Sequence, residues 1–259
     1  MQIFDSHCHL DDKSYENDMT EVLARMHAAG VRGAMIAGIN PESVARALAL
    51  TDRYDGLVAS VGVHPHDVAR CSQEDITALV AAASHPKVRA WGEIGLDFNR
   101  MYSPRDVQER MLINQLAAAD ALDLPIIFHE RDSGGRLIEL LKTHPRPGRR
   151  GVIHCFSGTR HEMDTYLEMG FHIGITGIIT HQARGTLLRQ LVPHIPAHRI
   201  LVETDAPYLT PTPERNRHRR NEPAFVRTVL LKVAEVRGES AETLAAVVWE
   251  NTCGLFGVA

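Results

Sequence analysis

The sequence predicts an α/β protein of one domain, residues 1–259, folded as a TIM-type (β/α)8 barrel. Short β-like runs alternate with amphipathic helical patterns about eight times, which is typical of parallel βαβ units. A length of 259 residues suits such a barrel, and no composition shift marks a linker. No glycine-rich phosphate turn follows the first strand, which disfavours the alternative, an open doubly wound sheet.

The predicted strands are apolar, β-branched runs, and the helices between them carry start and stop signals. In the first helix, Met19 and Met26 bound an i, i+3, i+4, i+7 apolar pattern that stops at Gly30. Asn40 precedes Pro41, as at a capped helix start. Capping-box patterns begin at Ser72, Ser103 and Thr159. The strands are predicted at residues 2–7, 33–39, 57–63, 88–95, 125–130, 151–156, 171–177 and 200–205.

Bulk composition limits the classes of function. Apolar residues make up 44% of the chain, which is ordinary for a globular protein. The net charge of -4 argues against a generally basic nucleic-acid-binding surface, although it permits a local basic patch. The four cysteines form no CxxC pair, which fits a reducing compartment. Without an apolar leader or a membrane-length stretch, we expect a cytoplasmic protein that contacts no membrane.

Titratable side chains gather at the ends of the predicted strands, where barrels of this kind carry their active sites. Side chains alternate along a strand, so His7 and His9 share one face and Cys8 points into the helix layer. The same alternation puts Asp5 on the histidine face, where it would orient one of the rings. The other candidates at strand ends are His64, Glu93, His129, His154, Glu203 and Asp205.

Each of these motifs has an ordinary structural explanation when it is taken alone, and an HxH pair by itself is a weak signal. Their convergence is stronger, because buried carboxylates and imidazoles without partners are costly. Mixed imidazole and carboxylate ligands suit zinc or manganese, with magnesium at the oxygen-rich end. Six candidate ligands exceed the three of a typical catalytic zinc, so they predict two divalent ions with one carboxylate bridging them.

The chain resembles the TatD family of metal-dependent hydrolases. The matching stretches cover nearly its whole length in order: DSHCHL (5–10), GVHPHD (62–67), GEIGLDF (92–98), FHERD (128–132), HCFSGT (154–159), ITGIIT (175–180), LVETDAPYL (201–209) and RRNEP (219–223). The resemblance implies a barrel with two divalent metals (Mg, Mn or Zn) and phosphodiester hydrolysis. It also implies magnesium-dependent 3′→5′ deoxyribonuclease activity on single-stranded DNA, with RNA as an alternative substrate and a role in DNA repair.

The resemblance also assigns roles to residues. His7 and His9 match one metal's histidines, Glu93 the bridging carboxylate, and Asp205 a ligand and general base. The remaining metal ligands are His129 and His154, while His64 and Glu203 match positions for catalysis or substrate contact.

Basic residues near the predicted mouth are candidates for contact with substrate phosphates. Arg131 either holds phosphoryl oxygens or pairs with Asp132. The run RNRHRR (215–220) is either a solvated face or a phosphate-binding strip that includes Arg219 and Arg220.

Three other classes of function compete with a nuclease. An amidohydrolase acting on a small ester, lactone, amide or aminoacyl ester would use the same two-metal centre. A nucleic-acid-binding domain without catalysis would not need inward-facing ligands. A structural metal protein would close its sites with cysteine. We expect a single-stranded nucleic-acid substrate and a monomer.

Overall fold

The computed structural model describes residues 1–258, in which eight strands alternate with helices. The strands are β1 (Ile3–Cys8), β2 (Val31–Ile36), β3 (Leu57–Val61), β4 (Val88–Asp97), β5 (Ile126–Arg131), β6 (Gly151–His154), β7 (His172–Ile175) and β8 (Ile200–Val202). The α-helices are α1 (Met19–Ala28), α2 (Pro41–Arg53), α3 (Gln73–Ala82), α4 (Arg105–Leu122), α5 (Arg136–Thr143), α6 (Arg160–Glu168), α7 (Thr186–Leu191), α8 (Val226–Arg237) and α9 (Ala241–Phe256).

The strands form one parallel sheet in sequential order, and β8 returns to β1. At this seam the Asp205 N–H donates to the His7 carbonyl at 2.9 Å, and the His9 N–H donates to the Ala206 carbonyl at 2.7 Å. The Asp5 carboxylate accepts from the backbone N–H and the hydroxyl of Thr204 at 2.8 and 2.5 Å. The predicted barrel is therefore confirmed. No helix among residues 1–258 combines the length and apolar character needed to cross a bilayer.

The interior of the barrel is filled at the end where the strands begin. Side chains from seven strands and from α9 form one buried cluster there, so the opposite end is the open mouth. Phe256 of α9 is only 3% exposed within this cluster, which closes the barrel floor. The cluster comprises Phe4, Met35, Val58, Ala90, Ile127, Val152, Leu201, Leu255 and Phe256.

Two irregularities in strand register direct side chains toward the mouth. Asp5 of β1 pairs with Ala34 of β2, and Cys8 pairs with Ile36. Three residue steps along β1 therefore lie opposite two steps along β2. The same mismatch separates Trp91 from Ile94 in β4. Each irregularity acts as a β-bulge, which re-aims the side chains beyond it.

The bulge in β1 corrects one expectation from simple alternation. Phe4 belongs to the inner cluster, Ser6 bonds to Glu203 inside the barrel, and His7 also faces inward. Asp5 therefore points to the other side and binds Thr204 rather than a histidine ring.

Most predicted helix starts are confirmed. Asn40 caps α2, and Ser72 and Thr159 form complete capping boxes on α3 and α6. Ser103 does not cap α4, which begins at Arg105 after Pro104. Its hydroxyl instead donates to the His66 carbonyl at 3.0 Å, so it connects two loops at the mouth.

Candidate metal centre at the barrel mouth

Four predicted ligands, carried on β1 and β4 and just beyond the ends of β1 and β8, converge in the mouth of the barrel. The Nε2 atoms of His7 and His9 are 3.3 Å apart. Each lies 3.3 to 3.9 Å from Glu93 Oε2 and from Asp205 Oδ1. Ligands about 2.1 Å from a tetrahedral ion lie about 3.4 Å from one another. These four donor atoms therefore fit a single divalent cation.

The second predicted set shares Glu93 and adds His129 and His154. His154 Nε2 lies 3.8 Å from Glu93 Oε1 and 3.7 Å from Asp205 Oδ1, which suits a shared ion. His129 Nδ1 is hydrogen-bonded to Glu93 Oε1 at 2.6 Å. This hydrogen bond must open by about 0.8 Å to reach ligand spacing. A second ion therefore fits the donor set only after a small movement of these two side chains.

Glu203 lies beneath His154 and not in the open mouth. It is fully buried, and its Oε1 is 2.8 Å from His154 Nδ1 and accepts from the Cys155 N–H at 2.6 Å. Ser6 donates to its other oxygen at 3.3 Å. A carboxylate behind a histidine fixes the orientation of the ring. These contacts favour a positioning role for Glu203, and the catalytic role expected from the resemblance stays a prediction.

A second supporting carboxylate is Asp97, for which the sequence patterns predict no role. Its Oδ2 lies 2.6 Å from His66 Nε2 and 3.3 Å from His129 Nε2, and it is fully buried. Both residues lie in stretches that match the TatD pattern, Asp97 in GEIGLDF and His66 in GVHPHD. Position alone could have drawn attention to them, but their pairing depends on the curvature of the barrel.

His64 faces the centre with a defined tautomer. The His66 backbone N–H donates to its Nδ1 at 3.0 Å, so neutral His64 carries its proton on Nε2. That Nε2 lies 3.1 Å from His129 Nδ1 and 3.5 Å from Glu93 Oε1. Burial, followed by the neighbouring His129, lowers the pKa of His64 to about 4. His64 is therefore a neutral N–H donor at the edge of the ligand cluster.

The electrostatics of the cluster favour a cation. Burial opposes ionisation of Glu93, but the surrounding histidines outweigh it and lower its pKa well below the ordinary value. Burial likewise opposes protonation of His154, yet Glu203 and Glu93 raise its pKa to about 10. His129 behaves similarly: burial is outweighed by Asp97 and Glu93, and its pKa rises to about 9. A site that concentrates positive charge on its histidines in this way also stabilises divalent ions, which would displace those protons.

The cysteines beside the ligands do not join them. Burial raises the pKa of both Cys8 and Cys155 well above the ordinary thiol value, so neither is a thiolate at neutral pH. The Cys8 thiol lies 3.3 Å from the Met35 carbonyl, within the packing between strands and helices. The donor set therefore consists of imidazole and carboxylate groups, as predicted.

The predicted arginines separate into two groups. Arg131 lies two residues beyond His129 on β5, and its guanidinium makes no ion pair or hydrogen bond within residues 1–258. The expected partner, Asp132, instead accepts from Asn99 at 2.6 Å. Arg219 is exposed.

Arg220 is committed elsewhere in the protein. Its guanidinium donates to both oxygens of Asp18 at 2.8 and 2.6 Å, contacts Glu222 at 3.1 Å and lies over the Tyr15 ring. These contacts hold the loop of Arg220 against the start of α1, and the predicted contact of Arg220 with substrate stays a prediction.

Comparison with known proteins identifies the family. The family model described as "TatD related DNase" matches residues 4–257. The chain belongs to the TatD-related DNase family. Among curated TatD proteins, "3'-5' ssDNA/RNA exonuclease TatD" from Escherichia coli (strain K12) is 40% identical over 260 residues, covering 99% of this chain and 100% of that protein. The protein of the same name from Citrobacter koseri is 42% identical over 260 residues, with 99% and 100% covered.

Solved TatD structures share the whole barrel. The TatD homologue YJJV from Escherichia coli K12 superimposes with a TM-score of 0.90 at 32% identity, covering 99% of this chain and 98% of that one. A TatD family hydrolase from Entamoeba histolytica gives a TM-score of 0.91 at 26% identity, covering 100% and 99%. The fold and the family resemblance predicted from the sequence are therefore confirmed.

Proposed function

We propose that this chain is a divalent-metal-dependent 3′→5′ exonuclease acting on single-stranded DNA and RNA. The observation that carries the proposal is the convergence of His7, His9, Glu93 and Asp205 donor atoms at metal-ligand spacing in the mouth. Family membership and the name of the 40%-identical relatives support phosphodiester hydrolysis as the reaction.

The centre would hold two divalent cations, Mg, Mn or Zn. His7, His9, Glu93 and Asp205 would bind one, and Glu93, His129 and His154 the other. Bound there, the pair supplies Lewis-acid stabilisation of phosphoryl charge and a more acidic water. Glu203 and Asp97 keep the rings of His154 and His129 directed at the ligand positions.

The remaining steps belong to the chain's own side chains. Burial opposes ionisation of Asp205, but the bond to His9 outweighs it and lowers the pKa of Asp205, so the carboxylate is charged and able to accept a proton from the attacking water. His64 directs its Nε2–H toward the same space and would donate to a phosphoryl oxygen. Arg131 would hold a further oxygen, since its guanidinium has no partner among residues 1–258.

Metal removal and a paired substitution test the centre. Dialysis against a chelator should abolish hydrolysis, and Mg²⁺, Mn²⁺ or Zn²⁺ should restore it, with metal content measured on the same sample. Glu93→Gln should lose activity and bound metal. Glu130→Gln is the matched control, because Glu130 is also buried but binds Ser133 on the other side of β5. Full activity of Glu93→Gln would contradict the proposal.

Product analysis tests the reaction itself. A single-stranded oligonucleotide labelled at the 5′ end should shorten progressively and release mononucleotides, whereas a 3′-end label should be released in the first product. DNA and RNA of the same sequence are compared under one metal. If aminoacyl, lactone or amide substrates are hydrolysed and neither nucleic acid is, the centre serves amidohydrolase chemistry instead.

The cytoplasmic location, the role in DNA repair and the monomeric state stay predictions. Light scattering during size-exclusion chromatography tests the last of these, and a stable dimer would contradict it.

A further inference from the structure

Two aromatic rings are unusually exposed in this chain. Among the Phe, Tyr and Trp side chains of residues 1–258, the most exposed are Tyr102 and Tyr208, at 66% and 55% of full exposure. The other exposed large apolar residues are Met1, Met101, Leu122, Leu187 and Leu231. Both tyrosines follow strands that provide metal ligands, Tyr102 after β4 and Tyr208 after β8. The exposed aromatic surface of the protein is therefore concentrated at the mouth.

Each ring stands against a histidine of the mouth. Tyr102 packs edge-on against His66, with ring centroids 4.8 Å apart. Tyr208 packs edge-on against His9, with centroids 5.9 Å apart. His9 belongs to the first ligand set. His66 lies near the second set, because it shares the Asp97 carboxylate with His129. The tyrosines consequently flank the centre on different sides, each with much of its ring open to solvent.

The backbone that carries these rings is fixed. Next to Tyr102, the Ser103 hydroxyl donates to the His66 carbonyl and accepts from the Ala69 N–H at 3.1 Å. The Tyr208 N–H donates to the Asp205 carbonyl at 2.8 Å, and its own carbonyl accepts from the Asn221 side chain at 2.6 Å. A ring on an anchored backbone loses little conformational freedom when a ligand covers it.

We propose that Tyr102 and Tyr208 are base-stacking residues that hold the two nucleobases flanking the scissile phosphodiester of a single strand. This inference rests on the proposed nuclease function and specifies how the substrate is held. One ring lies beside each side of the phosphate-cleaving centre, and in a nucleotide chain one base lies on each side of every internucleotide phosphate. Stacking accepts every base, because each has a π-face, and it requires bases that are not already stacked in a duplex.

Substitutions at both positions test the proposal through binding. Dissociation constants for a fluorescent single-stranded oligonucleotide are measured by anisotropy in the presence of a chelator, so that turnover does not interfere. Tyr102→Ala and Tyr208→Ala should each weaken binding by roughly 5- to 100-fold, the range for one stacked base. Tyr102→Phe and Tyr208→Phe keep the ring and should stay within about twofold of wild type. Leu122→Ala, an exposed apolar change at the end of α4, is the surface control.

Base-free substrates separate stacking from a general effect on the site. With metal restored, each Tyr→Ala variant should show a raised KM on normal single strands. On a chain of tetrahydrofuran abasic units, the variants and wild type should have the same KM. A single abasic unit at the terminal position should remove the defect of one variant, and a unit at the penultimate position should remove that of the other.

The outcomes distinguish this inference from the proposed function. If wild type binds the oligonucleotide and Tyr→Ala weakens that binding, but no strand is hydrolysed, stacking stands and the nuclease assignment fails. If the Tyr→Ala variants bind normal strands as tightly as wild type, stacking is overturned. A defect that persists on the base-free chain also overturns it, because the rings would then be shaping the site.

Discussion

Replacing Arg220 with Met should destabilise the fold and leave nucleic-acid binding unchanged, even though Arg220 lies in the most basic run of the sequence. Its guanidinium makes a two-pronged ion pair with Asp18, reaches Glu222 and covers the Tyr15 ring at 4.5 Å. These contacts connect a loop near residue 220 to the start of α1. Arg220 is therefore occupied before any phosphate arrives.

The size of the effect is limited by exposure and by a second arginine. The Asp18 side chain is 35% exposed, so solvent screens its pair with Arg220. Arg25 also contacts both acids, at 2.7 Å to Glu222 and 3.5 Å to Asp18, so neither carboxylate is left alone. A two-pronged pair and one cation–π contact under these conditions contribute about 1–2 kcal/mol. For a chain of 259 residues, about 1 kcal/mol corresponds to about 2 °C, so the Tm should fall by about 2–4 °C.

The assay compares Arg220→Met with Arg219→Met, since Arg219 is exposed. Thermal unfolding should show the loss only in Arg220→Met. Binding to a single strand, measured across a salt series, should change only in Arg219→Met. The loss of one phosphate contact reduces the slope of log affinity against log salt concentration by about 0.7. A normal Tm together with a reduced salt slope in Arg220→Met would refute the reasoning.

The pair with Arg220 also predicts a dependence on pH. The hydrogen bond from Arg220 lowers the pKa of Asp18 below its ordinary value of 3.8. Stability from a depressed carboxyl pKa is present above that value and is lost as the pH falls through the folded-state pKa. The difference in the free energy of unfolding between wild type and Arg220→Met should therefore become smaller as the pH falls below about 3.8.

Three further changes test the support of the centre and the closure of the barrel. Glu203→Gln should weaken metal affinity by about 10- to 100-fold, measured by chelator competition, because His154 loses the carboxylate that orients it; unchanged affinity would remove its positioning role. Asp97→Asn should have a similar effect through His129, and a variant that keeps full metal content at low free metal would contradict this. Phe256→Ala should lower the free energy of unfolding, measured in urea, by about 3–5 kcal/mol because it opens a cavity in the barrel floor. A decrease below about 1 kcal/mol would contradict this and would mean that neighbouring side chains fill the space.

Much of the barrel could be predicted because its signals are local. Alternating apolar runs and caps such as Asn40 and Thr159 depend on neighbours in sequence, and both caps form as expected. Ser103 shows the limit of that reasoning. Its spacing to Asp106 is correct for a capping box, but the hydroxyl bonds to the His66 carbonyl in another loop.

The predicted ligands converge, whereas their supports could not be deduced from the sequence. Alternation put Asp5 beside the histidines, but pairing with β2 introduces a bulge that no pattern within β1 reveals. The contact of Asp97 with His66 spans 31 positions and follows from two strands bending around one axis. Arg220 and Asp18 are 202 positions apart, so no local pattern reveals that this one arginine of the basic run is paired.

The bulge in β1 makes the length of that strand more important than the identity of most residues in it. Phe4 must reach the floor while His7 reaches the centre, and both face inward although an odd number of steps separates them. Plain alternation across these same residues would force one of the two to turn outward, and so would inserting one residue while the bulge is kept. Insertions and deletions should thus be far more damaging here than substitutions, since the distance from floor to ligand is set by the number of residues.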